Sequence, residues 1–379
     1  MAIRRTDSAT SSCVVRYDGL SLQVSCTEVE DLDWLTEFVR PPFRVYRRGS
    51  PAGNVHVTAD TEEWKRLRRL GPDPTSRRRE CVFLDTKIVR LPVWNVNRPG
   101  TALFDEEFNA FCLVDADRRA VNLVKTRQDR LARLALMRVV REFAINHLLH
   151  SSDIVVHGAA FVAGKRGVLV AGKKRSGKTS LLLHALHDRR LTYLSNDRVR
   201  LSLANDAPQI RGIPTIVNLR VSTLKQFPRL HDRLLSSAYS PVLSLRESET
   251  APLGPARPWR KDQYSLSPIQ LCRLLGVQAR AEAPLDAILF PRVTGAECTI
   301  RLERMTASEA IRRLRESLFR SPYRRLSGSL FSIVGKGYVR SPDAFSQVLS
   351  TVASRIPCYV CHMGRTAFAD ASWLETLDL

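Results

Sequence analysis

Residues Gly172-Lys173-Lys174-Arg175-Ser176-Gly177-Lys178-Thr179 follow the pattern G-x-x-x-x-G-K-[ST] of a loop that wraps around phosphate. Glycine is needed because the backbone must curl until successive N–H groups point inward at phosphate oxygens. The lysine reaches the terminal phosphates, and the hydroxyl after it holds Mg²⁺. At average residue usage the pattern arises by chance in roughly 1% of chains of this length. The flanks sharpen it. Val168-Leu169-Val170-Ala171 has the continuous apolar character of a buried strand, and Ser180–Leu186 continues as a helix. Strand, glycine loop and helix in that order commit this part of the chain to an α/β fold.

The chain has 379 residues, enough for roughly two domains. Lys and Arg outnumber Asp and Glu by 59 to 38, a net charge of +21. Such an excess attracts something acidic: a peptide or protein, a small polyphosphate, or nucleic acid. It is equally the mark of an arginine-rich solvated surface, since charge alone carries no fold or chemistry. No apolar run approaches the roughly 18 residues of a membrane helix, so no membrane role is expected. The N-terminal residues lack the apolar core of a secretory signal, which leads us to expect a cytoplasmic protein. Cysteines at 13, 26, 81, 112, 272, 298, 358 and 361 are dispersed, as for small buried residues in a reducing compartment.

Residues 1–125 read as an accessory α+β domain for recognition or assembly. Cys13–Tyr17 and Ser21–Ser25 alternate like half-buried strands around the turn Asp18-Gly19, and Val29–Val39 has helical spacing closed by Pro41-Pro42. Trp64–Leu70 with Arg77–Arg79 forms a basic cluster whose tryptophan could stack on a base, although a solvated helix end accounts for it more simply. Residues 126–379 read as the phosphate-loop domain. It opens on a helix over 128–149, with Leu136, Val139, Val140, Phe143 and His147 on one face. A strand pair interrupted at His157-Gly158 is expected before the loop strand. Leu191–Ser195 is a second strand ending at Asn196-Asp197, an acidic strand end suited to Mg²⁺ or an incoming hydroxyl. Val199–Leu203, Gln209–Gly212, Thr215–Leu219, Ala287–Phe290 and Cys298–Leu302 read as strands, and Thr223–Leu235 as a helix broken at Pro228. Residues 246–263 read as an exposed loop. Thr306–Leu318 opens on capping-box spacing and carries a basic face of Arg312, Arg313 and Arg315, followed by Arg320, Arg324 and Arg325. Cys358-Tyr359-Val360-Cys361-His362 matches a haem-attachment pattern, but that chemistry belongs to exported chains, and a buried terminal strand is the expected reading. Zinc lacks a second Cys/His pair at suitable spacing.

Taken together, His157, Gly172–Thr179, Asn196-Asp197 and Ile210-Arg211-Gly212 resemble, in order and spacing over about 70 residues, the catalytic domain of HPr kinase/phosphorylase and its HPr-kinase-like relatives. That family combines a histidine before the loop, the loop, a strand ending in two aspartates, and an I-R-G segment. The resemblance implies a P-loop kinase core of the HPr-kinase type, bound to ATP and Mg²⁺. It implies catalytic roles for Lys178, Asp197 and His157, with Arg211 as a further phosphate clamp. Gly172, Lys173, Lys174, Arg175, Ser176, Gly177, Lys178, Thr179 and Ser180 would hold the nucleotide, and Thr179 and Asp197 the metal. Two positions depart from the family: Asn196 replaces the first aspartate, and Gln209 replaces the acidic residue before I-R-G. A neutral amide is no proton acceptor and a weaker Mg²⁺ ligand. The reading is an ATP-dependent kinase acting on a hydroxyl of a peptide, protein or small molecule, with serine favoured by the resemblance. A nucleotide-gated binding module without catalysis and a nucleic-acid-binding protein stand as alternatives, and a homo-oligomer is left open.

Overall fold

A computed structural model describes residues 10–71, 79–81, 89–91, 93–95, 101–115, 117–127, 129–149, 151, 153–187, 190–236, 263–294, 300–318, 342–364 and 372–377. The architecture is mixed α/β, in two compact units. The first holds most described residues up to His147, and the second those from Leu148 onward.

In the first unit the strands are β1 (Ser11–Tyr17), β2 (Leu20–Cys26), β3 (Arg44–Tyr46), β4 (Gly53–Ala59), β5 (Arg79–Cys81), β6 (Val89–Leu91), β7 (Val93–Asn95), β8 (Thr101–Asp105), β9 (Ala110–Asp115) and β10 (Ala120–Lys125). Eight of them form one sheet in the order β3-β1-β2-β4-β10-β9-β8-β7, while β5 and β6 pair separately. Asp18 and Gly19 both adopt positive φ, 47° and 80°, the geometry of a two-residue hairpin turn. The helices are α1 (Val29–Phe38), α2 (Thr61–Arg69) and α3 (Ala132–Leu149). Asp60 caps α2, accepting from the Glu62 and Glu63 amides, with acidic residues in its first turn and arginines in its last. Trp64 is not offered to a ligand for stacking. Its ring lies edge-on to Phe104 and Phe111, and its Nε1 donates to the Asn109 carbonyl at 3.1 Å.

Helix α3 departs from the expected single apolar face. Arg133, Arg141, Glu142 and Asn146 are buried along with its apolar residues. It lies with the N-terminal unit, whereas the sequence places the boundary at 125/126. The polar burial has a partner set: Asp31 of α1 meets Lys125 of β10 at 2.7 Å and Arg133 of α3 at 2.7 Å, and Lys125 also meets Glu28 at 2.6 Å. Charges removed from water in this way need partners, and Lys125 also donates to the Asp129 carbonyl at 3.4 Å.

The second unit contains β11 (Ile154–Ala163), β12 (Arg166–Ala171), β13 (Leu191–Ser195), β14 (Arg198–Ala204), β15 (Ala207–Gly212), β16 (Val217–Arg220), β17 (Gln263–Leu266), β18 (Glu282–Val293), β19 (Arg301–Arg304) and β20 (Cys358–Met363). Its helices are α4 (Lys178–His187), α5 (Val221–Leu224), α6 (Pro228–Ser236), α7 (Pro268–Leu275), α8 (Ala307–Glu316) and α9 (Pro342–Arg355). The sheet path is β12-β11-β14-β15-β18-β20-β19, with β13 on β11 and an additional β12–β18 pairing that returns the path to its start. Along β12, Val168 and Val170 pack into a cluster with the leucines of α4, while Leu169 and Ala171 pack into a second with α8 and α9. Burial on both faces is why this strand reads as an unbroken apolar run.

The expected interruption at His157-Gly158 does not occur; β11 runs through it. Residues 154–157 pair with β14, and from Gly158 the strand pairs with β12. The sequence break is therefore a change of partner. Pro228 opens α6, ending α5 before it, as a ring without an N–H does best at a first turn. Thr306 caps α8, but Glu309 bonds Arg312 and Arg313 rather than closing a box. Cys358 and Cys361 are buried in β20, where burial pushes the Cys358 thiol up to about 12, and His362 pairs with Glu303 at 2.8 Å. Residues 246–262, Arg77, Arg78, Arg320, Arg324 and Arg325 lie outside the described residues.

Candidate nucleotide site

The loop between β12 and α4 lies at the C-terminal end of β12, with β18 parallel on one side and β11 antiparallel on the other. Arg175 and Gly177 have positive φ of 69° and 101°, so the chain curls there as a phosphate cradle requires. A side chain at Gly177 would meet Val293 Cγ2 at 2.8 Å, and one at Gly172 would meet Ser176 Oγ at 2.7 Å. Ser176 Oγ is buried inside the loop with no hydrogen-bond partner among the described residues. A buried hydroxyl without a partner beside curled backbone is a donor that an oxyanion in the loop would satisfy.

Lys178, in the first turn of α4, is 7% exposed. Its Nζ donates to the Gly172 and Lys173 carbonyls, each at 2.8 Å, and so spans the loop. Burial pushes its ammonium down to about 8, against the opposing pull of Asp197. Thr179 and Ser180 follow it, half-buried, at the start of α4. Lys173, Lys174 and Arg175 are exposed, and Lys173 reaches Glu316 at the end of α8, at 3.3 Å.

Asp197 and His157 are brought together. His157 Nε2 lies 3.5 Å from Asp197 Oδ1, and the Gly158 amide donates to the Asp197 carbonyl at 3.0 Å. The His157 amide donates in turn to the Ser317 carbonyl at 2.7 Å, tying the partner-change point of β11 to the end of α8. Arg198, which carried no assignment from the sequence, is buried with its Nε 3.5 Å from Asp197 Oδ2. Arg198 was visible only as a neighbour of Asp197. Glu316 and Ser317 lie more than a hundred residues downstream of the loop, and no spacing rule reaches that far.

Asn196, beside Asp197 in the bend between β13 and β14, has a separate set of partners. It is 7% exposed. Tyr193 Oη donates to its Oδ1 at 2.6 Å and Thr215 Oγ1 at 3.2 Å, while its Nδ2 donates to the Ile216 carbonyl at 3.3 Å. Two donors on one side and a carbonyl on the other are the partners of an amide, not of a carboxylate. Arg211 does not stand free to clamp phosphate: its guanidinium is paired with Glu282 across β15 and β18. Gln209 is three residues from Gly212 along β15, about 10 Å at strand spacing, so its amide bears little on the Asp197 end.

Among the described residues no three His, Cys, Asp or Glu side chains are grouped to hold a metal ion. The donors at hand, the Thr179 hydroxyl and the Asp197 carboxylate, are oxygen ligands of the kind Mg²⁺ takes when phosphate and water supply the rest. The residues present thus fit a magnesium-complexed phosphate chain. Among the described residues no helix is long and apolar enough to cross a membrane. Compared with known proteins, the chain matches no family model and no curated sequence.

Proposed function

We propose that the chain is an ATP-dependent phosphotransferase of the HPr-kinase-like type, passing the γ-phosphate to a hydroxyl of a peptide, protein or small-molecule acceptor. The observation that carries this reading is the facing of two parts: a curled glycine loop spanned by buried Lys178, and the His157–Asp197 pair at 3.5 Å beside it. Phosphoryl transfer needs little more than positioning and charge neutralisation. Backbone amides of Gly172–Lys178 take the phosphate oxygens, and Lys178 turns its ammonium from the loop carbonyls to the β and γ oxygens. Asp197 accepts the proton of the attacking hydroxyl as the new oxygen–phosphorus bond forms and the bond to the leaving diphosphate breaks. His157 orients that carboxylate or passes its proton on. Thr179 and Asp197 would hold Mg²⁺, which when bound would neutralise charge on the phosphates. Serine as acceptor rests on the family resemblance.

The fate of Asn196 supports catalysis over a binding module that has lost it. The replaced carboxylate would stand among the partners of an amide, while Asp197 keeps the position nearest His157. Incubation with γ-labelled ATP and Mg²⁺, followed by mass spectrometry of candidate acceptors, tests the proposal. Label should pass to an acceptor, Lys178→Ala should abolish the transfer, and ATP binding without transfer to any acceptor would favour the binding module. Within the described part of the two basic clusters, Trp64 is packed and Arg66, Arg312 and Arg313 are paired with glutamates, which favours the kinase reading over the nucleic-acid one.

A further inference from the structure

A nucleoside triphosphate whose terminal phosphate meets Asp197 has its base at the other end of the molecule. Asp197 and His157 stand on the β11 side of the loop strand. The base therefore extends toward the opposite flank, where β18 and β20 run parallel to β12 and end beside the loop. The C-terminal edge of parallel strands is where open α/β sheets hold ligands.

Two independent features mark that flank. Val293, the last residue of β18, is 43% exposed, which is unusual for a strand residue whose neighbours Pro291 and Met363 are buried. These three side chains form one apolar wall beside the loop: a side chain at Gly177 would lie 2.8 Å from Val293, 3.5 Å from Met363 and 3.7 Å from Pro291. Register places Val293 opposite Met363, so both face the same side of the sheet. The second feature is Thr294, directly after the wall. Its hydroxyl is buried without a hydrogen-bond partner among the described residues, although its amide donates to the Met363 carbonyl at 2.9 Å. An apolar face with one unpaired hydroxyl at its rim matches a planar base, which has apolar faces and a hydrogen-bonding edge.

We propose that Val293, backed by Met363 and Pro291, is the platform for the nucleobase, with Thr294 Oγ1 reading its edge. The inference rests on the phosphate-loop reading above and adds to it the base-binding side. With one hydroxyl reading the edge, the site takes nucleoside triphosphates with only a modest preference among bases.

The test compares ligands with and without a base. Mg-ATP, Mg-GTP and Mg-tripolyphosphate are titrated by calorimetry into the full chain and into Val293→Asp, Val293→Ile and Thr294→Val. ATP should bind more tightly than tripolyphosphate. Val293→Asp should remove on the order of tenfold of that advantage, and Val293→Ile should keep it. Tripolyphosphate binding should stay unchanged in Val293→Ile and Thr294→Val and persist, weakened by the carboxylate beside the loop, in Val293→Asp, which also reports that all three fold. Thr294→Val should shift the ATP-to-GTP affinity ratio several-fold. If tripolyphosphate binds and the ATP advantage survives Val293→Asp, the platform is wrong while the loop reading stands. An unmoved ATP-to-GTP ratio in Thr294→Val removes the hydroxyl from the site. If neither ligand binds the wild-type chain, the loop reading fails and the platform with it.

Discussion

Placing an aspartate at position 196 separates a catalytic base missing from that position from a buried structural amide. In Asn196→Asp the first oxygen keeps its donors, Tyr193 Oη at 2.6 Å and Thr215 Oγ1 at 3.2 Å. The second oxygen then faces the Ile216 carbonyl at 3.3 Å, where Nδ2 had donated. One hydrogen bond is lost and a charge is buried against a carbonyl dipole, a net cost of about 2–3 kcal/mol at neutral pH after the hydroxyl donors are credited. The cost vanishes when the new carboxyl is protonated, because its O–H can donate to that carbonyl. The folded pKa of the new group is thus raised above its unfolded value of about 3.9, and the folded state holds the proton longer. Relative to wild type, the variant is close to neutral below about pH 4 and loses stability as pH rises through the folded pKa. Urea unfolding of the second unit at pH 5 and pH 8 reads this directly, and Asn196→Ala should lose stability equally at both. Turnover should not rise in Asn196→Asp. Equal stability at the two pH values, or faster phosphoryl transfer than wild type, would refute the assignment.

Lys178, held at about 8 in the free protein, should make phosphate binding proton-linked. An anion raises that pKa again, so tripolyphosphate affinity should fall as pH rises past about 8, with proton uptake seen at pH 9 and absent at pH 6.5 when calorimetry is run in buffers of different ionisation heat. Asp197→Asn should lower phosphoryl transfer by about 10²–10⁴-fold with ATP affinity kept within a few-fold. Unchanged turnover would remove Asp197 as the base. Gly177→Ala combines a positive φ of 101° with a 2.8 Å approach to Val293, and should cost about 1–3 kcal/mol and abolish phosphate binding. In the first unit, Asp31→Ala leaves Lys125 and Arg133 buried without their shared partner and should cost about 3–5 kcal/mol in chemical denaturation.

The parts of the site that were legible in the sequence are those written in consecutive residues. The loop curls because its glycines, lysine and hydroxyl adjoin one another. The strand before it shows as an apolar run because both of its faces are covered. Asp197 could be placed at a strand end from Leu191–Ser195 alone. Its pairing with His157 could not, because about 40 residues and a change of strand partner separate them; only the family resemblance linked the two. The partners of Asn196 could not be read, because Thr215 and Ile216 sit on a segment whose path no periodicity gives. The ion cluster around Asp31 was illegible for the same reason: its members are roughly a hundred residues apart. Position 209 misleads in the other direction, since a residue next to the I-R-G segment in sequence is three strand positions from its end.

The return of the sheet path through β12 and β18 has a consequence for how the second unit opens. Strand β12 has hydrogen-bonded neighbours on both sides, so it presents no edge to another chain and cannot peel off one ladder at a time. Releasing the strand that carries the loop means breaking two ladders in one event. The amides of Val168, Leu169 and Val170 should therefore exchange with solvent among the slowest in the unit, at a rate set by its global opening.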